Sequence, residues 1–289
     1  MATAFFPAVL IVLLPWMKTN VKGYAGETTA WAFFLTQLKV KVIYLRLLII
    51  PIHQSIDYVY PLVKSPFEWG VVLSGLFLVL LLLAGVYLRN NYRLLSVGIF
   101  WFFITLLPES GFIPISDVIV EHRVYLATMG FGLFLSSGLF YLFQNRSSLA
   151  VRVLCLVVIG YSVMTYQRNK IWHDEFTLWN DVVQHFPQNQ RAYLNRGAAY
   201  QKNGDLDHAL ADYNMVIGLG PVDAVTLSNR GNIFTTKGYY DIALANFNLA
   251  IKINPSYVGS YINRARLYEI EGKNEQAAAD FATIHHLSP

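Results

Sequence analysis

Cysteine is almost missing from this sequence. Cys155 is the single cysteine in 289 residues, and it lies within an apolar run. This excludes a disulfide framework and a cysteine-based metal site. The sequence has no glycine-rich phosphate loop and no serine or cysteine arrangement typical of nucleophilic catalysis. The pair His285 and His286 has no further ligands near it in the sequence, so we predict no metal site there.

Charged residues are also scarce. They make up 14% of the chain, against 55% hydrophobic residues, whereas soluble globular proteins contain about 25% charged residues. This indicates a membrane protein over part of the length. Up to Ile171 there are 13 lysines and arginines against 6 acids, and from Trp172 there are 9 against 12. Neither part is strongly basic, so we predict no nucleic-acid partner.

Long apolar runs fill the first part, which we predict to be a transmembrane helical domain over residues 1–171. Trp69–Leu88 carries no charge over twenty residues, which is long enough to cross the hydrocarbon core. Residues 5–16 are apolar but contain two prolines, and they form a doubtful fifth span. The further predicted spans are residues 94–107, which are aromatic-rich, 124–143 and 149–166.

Residues 31–50 are apolar too, but they carry Lys39, Lys41 and Arg46 on about one side of a helix. Such a pattern favours a helix lying in the membrane interface over one that spans it. The opposite, apolar side of this predicted helix consists of Phe34, Leu38, Val42, Leu45 and Ile49.

Basic residues in short loops predict the orientation of the domain. Arg89 and Arg93 share one loop, and Arg146 lies in another. Both loops should face the cytoplasm. The loop at residues 106–126, one span away from each, and everything after residue 166 are then expected on the extracytoplasmic side.

The loop at residues 106–126 is the richest in ionisable side chains. Pro108 and Pro114 prevent one continuous helix through it. Ionisable residues between membrane-length apolar runs indicate a candidate functional site. Those of this loop are Glu109, Asp117, Glu121, His122 and Arg123.

The second part repeats itself with a period of 34 residues. Residues 193–200 realign with 227–234 and with 261–268, as do turn glycines, small residues, aromatics and closing prolines further along. The pattern resembles three tetratricopeptide repeats and predicts an α-solenoid domain over residues 172–289. Its parts are a half repeat at 172–187 and repeats at about 190–223, 224–257 and 258–289. The fold class expected for the whole chain is all-α.

Asn195, Asn229 and Asn263 occupy one position in the three predicted first helices. They are expected to form a ladder along a concave groove. An amide both donates and accepts hydrogen bonds, so it can hold a peptide backbone without reading its side chains. This ladder resembles the one in O-linked N-acetylglucosamine transferases. The alternative is that Asn-Arg-Gly is a common variant of the repeat and binds nothing.

Residues 34–51, 53–61 and 121–126, together with the repeats, resemble a known architecture. They are similar to bacterial relatives of the transmembrane and tetratricopeptide-repeat O-mannosyltransferases, which belong to the GT-C glycosyltransferases. The resemblance implies a protein of the bacterial inner membrane, with its repeats outside the cytoplasm. It also implies transfer of a sugar from a polyprenyl-phosphate donor. Arg123 and His122 would then contact the donor phosphate, whereas Asp57 and Glu121 would contact the acceptor or a divalent metal.

The resemblance does not supply a catalytic residue. GT-C enzymes carry their catalytic acid in the first extracytoplasmic loop. The early loop here, residues 17–30, has Glu27 as its one acidic residue and does not resemble that catalytic loop. Glu121 and Arg123 could instead pair with one another or with lipid headgroups. We therefore predict a membrane tetratricopeptide protein that binds a polypeptide partner and derives from such a transferase. The alternatives are an active transferase completed by a missing N-terminal portion, and a structural scaffold of the envelope.

Overall fold

A computed structural model describes residues 20–23, 26–108 and 117–287. The chain divides into two compact units, Met1–Lys170 and Ile171–Pro289. Within the described part, an α-helical architecture dominates, as predicted. Residues 5–16, the doubtful fifth span, lie outside the described residues, as do residues 109–116 of the loop, which include Glu109.

The described part of the first unit starts with a short hairpin that the sequence does not predict. Strands β1 (Asn20–Gly23) and β2 (Gly26–Thr29) pair antiparallel, with Asn20 opposite Thr29. Helix α1 (Ala30–Ile49) follows at once, and the hydroxyl oxygen of Thr29 accepts a hydrogen bond from the Ala32 N–H at 3.2 Å. Threonine is a favoured residue for this capping role, so the helix begins directly after the hairpin.

The described part of the first unit contains four further α-helices: α2 (Trp69–Leu88), α3 (Arg93–Leu106), α4 (Tyr125–Leu142) and α5 (Ser147–Asn169). Among the described residues, three helical stretches have the length and apolar composition to cross a membrane. They are α2, α4 with the turn before it, and α5 with the turn after it. Helix α3 has 14 residues and is therefore about 21 Å long. The fourth span stays a prediction.

Helix α1 buries a different face from the apolar one that the sequence singles out. Of the predicted apolar side, Ile49 is exposed and the other four residues are half-buried. The buried stripe contains Phe33, Val40 and Leu47, but also the polar residues Thr36, Gln37 and Tyr44. In lipid, polar groups must find partners inside the protein. A membrane helix therefore turns its polar side chains inward and can leave apolar ones outside.

Helices α3 and α4 approach each other most closely at two glycines. A Cβ atom on Gly98 would lie 2.7 Å from the carbonyl oxygen of Gly130, and one on Gly130 would lie 2.9 Å from that of Gly98. Small residues let two membrane helices bring their backbones together. This contact fixes α4, and with it the short 3-10 turn at Glu121–Val124 that precedes α4.

The second unit is a series of antiparallel helix pairs. A 3-10 turn (Lys170–His173) leads into α6 (Glu175–His185), which lies in the range predicted for the half repeat. Three pairs follow: α7 (Gln190–Lys202) with α8 (Leu206–Leu219), α9 (Ala224–Thr236) with α10 (Tyr240–Ile253), and α11 (Val258–Ile270) with α12 (Asn274–Leu287).

Each pair turns at a glycine with a left-handed backbone, at φ +80° in Gly204, +81° in Gly238 and +73° in Gly272. Glycine adopts this conformation without steric cost. Of the three predicted aromatics, Tyr213 and Phe247 are fully buried between the helices, whereas Phe281 in the last pair is 44% exposed. The 34-residue period of the sequence therefore matches the positions of the turns in the structure.

Candidate functional site

Glu121 holds two loops of the first unit together. Its carboxylate oxygen Oε1 accepts a hydrogen bond from the Ser55 N–H at 2.7 Å and another from the Tyr58 hydroxyl. Burial first, and then this carboxylate, raise the pKa of the Tyr58 phenol above its ordinary value. Tyr58 therefore remains a neutral donor, and the carboxylate connects the 3-10 turn to the loop after α1.

The buried polar residues of α1 fix the same region from the other side. The Gln37 side-chain amide donates to the Val118 carbonyl at 2.9 Å. The Tyr44 hydroxyl donates to the Val120 carbonyl at 3.1 Å and accepts from the Val120 N–H at 3.0 Å. These contacts position the backbone just ahead of Glu121. Our sequence interpretation missed them, although polar residues in an otherwise apolar helix are a readable signal.

A cavity of about 580 Å³ opens beside the 3-10 turn. Glu121, His122 and Gln54 contribute polar side chains to its wall. Apolar side chains of α4 and α5 dominate the rest, among them Phe131, Leu135, Leu154, Val157 and Val158. Mostly apolar clefts with a few polar groups bind small ligands. The lining of this one fits an amphiphile with a polar head and an apolar tail.

The structure separates the residues of the predicted donor site. Glu121 and the exposed His122 line the cavity, whereas Arg123 is not part of its lining. Arg123 donates through Nη1 to the Val118 carbonyl at 3.5 Å. Asp57 lies in the loop that Glu121 holds, and its carbonyl accepts from the Ser55 hydroxyl at 3.0 Å.

The contact of Asp57 and Glu121 with an acceptor or a divalent metal stays a prediction. Throughout the described ranges, no group of three or more histidine, cysteine, aspartate or glutamate side chains could hold a metal ion. The Glu121 carboxylate also already accepts two hydrogen bonds. We therefore derive no chemistry through a metal.

The three asparagines of the predicted ladder are all half-buried, one in each first helix of a pair. Asn195 donates to the Arg191 carbonyl at 2.9 Å, and Asn263 donates to the Ser228 hydroxyl at 3.1 Å. Asn229 hydrogen-bonds the Tyr213 hydroxyl. One such bond orients each amide and uses only part of its hydrogen-bonding capacity.

The arginine after each of these asparagines joins three helices, an arrangement that we call an arginine bridge. Arg196 binds the Asp212 carboxylate through Nε at 2.8 Å and Nη2 at 2.7 Å, and donates through Nη1 to Asn180 at 2.8 Å. The partners lie sixteen residues after and sixteen residues before the arginine. The hydrogen bonds to Asp212 raise the pKa of Arg196.

The third repeat reproduces this bridge, and the second changes it. Arg264 binds Asp280 at 2.9 and 2.6 Å and Asn248 at 2.6 Å. Arg230 instead donates through Nε to the amide oxygen of Asn246 at 2.8 Å, and through Nη1 to that of Asn214 at 3.0 Å. In the sequence, each bridge corresponds to an arginine with a polar partner sixteen residues before it and another sixteen residues after it. The 34-residue period alone does not reveal these pairs.

Comparison with known proteins decides what the second unit is. The sequence profile of the tetratricopeptide repeat matches residues 190–221 and 224–257. The second unit contains tetratricopeptide repeats. The helix pairs, glycine turns and buried aromatics described above are the packing elements of these repeats.

The tetratricopeptide region is also similar to protein O-mannosyl-transferases. The match to Tmtc3 of Drosophila melanogaster is 28% identical over 131 residues, which is 43% of this chain and 14% of that protein. Human TMTC3 is 26% identical over 40% of this chain and 13% of its own length, and human TMTC1 is 24% identical over 46% and 16%. The aligned part thus spans about one seventh of each relative.

Solved tetratricopeptide structures resemble the chain more distantly. YrrB, a protein with an unusual peptide-binding site, is 14% identical, with a TM-score of 0.35 over 45% of this chain and 67% of its own. The second tetratricopeptide domain of Spaghetti, bound to an HSP90 peptide, is 25% identical, with a TM-score of 0.34 over 35% of this chain and 89% of its own.

Proposed function

We propose that this chain is an integral membrane protein whose tetratricopeptide repeats bind a polypeptide outside the cytoplasm. The observation that carries the proposal is the repetition of one half-buried asparagine, at Asn195, Asn229 and Asn263, in three successive first helices. Amides at a regular spacing offer both donors and acceptors to a peptide backbone. The similarity to O-mannosyl-transferases supports descent from a transferase that uses a polyprenyl-phosphate-linked sugar.

The groove is tested by replacing the three asparagines with alanine together. Peptides selected from a random display library on the full chain in detergent are titrated against the wild type and this variant. We expect a loss of affinity of roughly tenfold or more, because several hydrogen bonds to the peptide disappear. The double variant Gln184→Ala and Gln276→Ala, which removes exposed amides from other helices of the array, serves as control. Equal affinity in all three proteins would refute the ladder.

The orientation is tested separately. In sealed membrane vesicles of known sidedness, a protease added from the extracytoplasmic side should cleave within or after the second unit. Cleavage only from the cytoplasmic side would contradict the proposed topology. The positive loops with Arg89, Arg93 and Arg146 are the reason for the expected result.

A second candidate function is that of an active protein O-glycosyltransferase, and the cavity beside Glu121 and His122 favours it. Its apolar walls and polar side chains suit a polyprenyl-phosphate sugar donor. His122 would approach the donor phosphate, because it lines the cavity, and Arg123 would add positive charge from the same turn. The activity of the whole relatives remains a proposal for this chain.

This second function is tested by sugar transfer from a polyprenyl-phosphate donor to an acceptor polypeptide. His122→Ala should raise the KM for the donor more than Arg123→Ala does. Transfer unaffected by both substitutions would remove the donor-phosphate role from the turn. If neither transfer nor peptide binding is measured, the third function considered, a structural scaffold, becomes the favoured one.

A further inference from the structure

The middle arginine bridge differs from the two outer ones in the acceptor for the arginine Nη2. In the outer two bridges, an oxygen of Asp212 or Asp280 accepts from the arginine Nη2, at 2.7 and 2.6 Å. The middle repeat has Asn246 at this place, and its Oδ1 accepts only from Nε of Arg230. The Asn246 amide nitrogen donates elsewhere, to the Ile242 carbonyl at 2.7 Å. The middle bridge is thus one negative charge short.

The unused donor of Arg230 is its Nη2. Among the residues that the structure describes, none accepts a hydrogen bond from this nitrogen, and it is not shut off from solvent. The guanidinium is half-buried, and burial lowers the pKa of Arg230, with no carboxylate near enough to oppose it. A partly desolvated cation gains from an added anionic acceptor, because such pairs recover the lost solvation.

We propose that Nη2 of Arg230, framed by Asn214 and Asn246, binds a carboxylate of the polypeptide partner. The outer bridges identify the ligand class, because a carboxylate oxygen occupies the corresponding position in both. Nε and Nη1 of Arg230 are already held by the two amides. The guanidinium is therefore oriented before the ligand arrives, which lowers the entropic cost of binding. Only the source of the carboxylate rests on the proposed function; the site itself does not.

The test uses the full chain in detergent and two fluorescent peptides that differ only in glutamate against glutamine. Fluorescence anisotropy should show saturable binding of the glutamate peptide, and roughly tenfold or weaker binding of the glutamine peptide, as expected for a charge-assisted hydrogen bond. Asn246→Asp supplies the missing carboxylate from the chain itself. It should weaken binding of the glutamate peptide by a similar factor.

The matched control is Asp212→Asn, which gives the first repeat the partner residue of the second. It should create a second binding equivalent for the glutamate peptide. Equal affinity for the two peptides, unchanged binding by Asn246→Asp, or one equivalent in Asp212→Asn would each overturn the proposal.

Isotope-labelled acetate separates this site from the asparagine groove. The wild type should broaden the acetate resonance at constant ionic strength, more strongly than Asn246→Asp does. The alanine variant of the three ladder asparagines should retain this broadening. Equal peptide affinity of the wild type and this alanine variant, with retained acetate broadening in both, would count against the groove alone. Equal broadening by the wild type and Asn246→Asp would refute the carboxylate site.

Discussion

Single carboxylates organise the loops of both units, and backbone hydrogen bonds lower the pKa of two of them. Asp174 caps α6, since its Oδ1 accepts from the Thr177 N–H at 2.8 Å. This hydrogen bond lowers the pKa of Asp174. Glu68, whose Oε1 accepts from the Lys64 and Ser65 N–H groups at 2.9 and 3.3 Å ahead of α2, has its pKa lowered in the same way. Both carboxylates therefore stabilise the folded state mainly in their charged form.

The Asp174 cap predicts how the stability of α6 depends on pH. Because its folded pKa lies below the unfolded value of about 4, the stabilisation is present above that value. It is lost as the pH falls through the folded pKa. Asparagine is also a good capping residue, so the variant Asp174→Asn should keep the helix and lose this part of the pH dependence. Hydrogen exchange of α6 amides in the full chain, between neutral and acid pH, measures both effects. Asp174→Ala should lose the cap at every pH, and a wild-type pH response in Asp174→Asn would contradict the assignment.

The contact of Glu121 with Tyr58 and Ser55 predicts a coupling between two loops. Glu121→Gln and Tyr58→Phe should each destabilise the loop after α1, and their double-mutant cycle should show a coupling of about 1–2 kcal/mol. The Ser55 amide donates to Glu121, so its hydrogen exchange should accelerate in Glu121→Gln more than in Tyr58→Phe. Additive effects in the cycle would mean that the short Tyr58–Glu121 contact does not persist in solution.

At the scale of the helices, glycine positions separate close packing from open space. A Cβ on Gly231 would lie 2.5 Å from Cε1 of the buried Phe247. A Cβ on Gly218 would meet nothing within 4 Å. The two glycines lie inside helices of the same array, so the effects of adding one methyl group can be compared directly.

We expect opposite signs for the two substitutions. Gly231→Ala should destabilise the array by up to about 2 kcal/mol, because overpacking of about 1–3 kcal/mol outweighs a helix-propensity gain of about 1 kcal/mol. Gly218→Ala should be neutral or stabilising by less than about 1 kcal/mol. Denaturant unfolding followed by hydrogen exchange in α8, α9 and α10 measures the difference. Adding Phe247→Leu to Gly231→Ala should recover part of the lost stability, because the smaller side chain makes room for the methyl group. An unchanged stability of Gly231→Ala would show that α9 and α10 move apart at little cost.

Helix α1 shows where sequence interpretation fails at this scale. The existence of the helix follows from composition, and its three cations were visible. The buried face did not follow, because apolarity does not mark the inside of a helix when the outside can be lipid. Gln37 and Tyr44 mark it instead, through partners 81 and 76 residues away. Contacts at such separations leave no periodic trace in the sequence.

For the whole molecule, the repeat period was the most informative signal. It predicted the helix pairs, their turns at Gly204, Gly238 and Gly272, and the burial of Tyr213 and Phe247; the exposed Phe281 departs from it. The arginine bridges follow the same period but need the extra spacing of sixteen residues. The cavity beside His122 was not predictable, since it depends on how α4 and α5 pack.

The bridges predict which deletions the array tolerates. Removing residues 224–257 takes out one full period and should bring Arg264 opposite Asn214, with Asp280 unchanged as its other partner. Removing residues 224–256 instead leaves one residue too many, which turns the helix face and separates the arginine from its partner. The first deletion should keep a cooperative unfolding transition, and the second should broaden it or abolish folding. Thermal unfolding of the two purified variants, followed by circular dichroism, checks this. Equally cooperative unfolding of both variants would show that the bridges do not fix how successive repeats align.

The inward polar stripe of α1 has a consequence for biogenesis. The Gln37 amide donates to the Val118 carbonyl and the Tyr44 hydroxyl donates to the Val120 carbonyl. The ribosome adds Val118 and Val120 after α2 and α3. The packing of α1 against the backbone ahead of Glu121 is therefore completed only after α2 and α3 have been synthesised. The order of assembly is thus different from the order of synthesis.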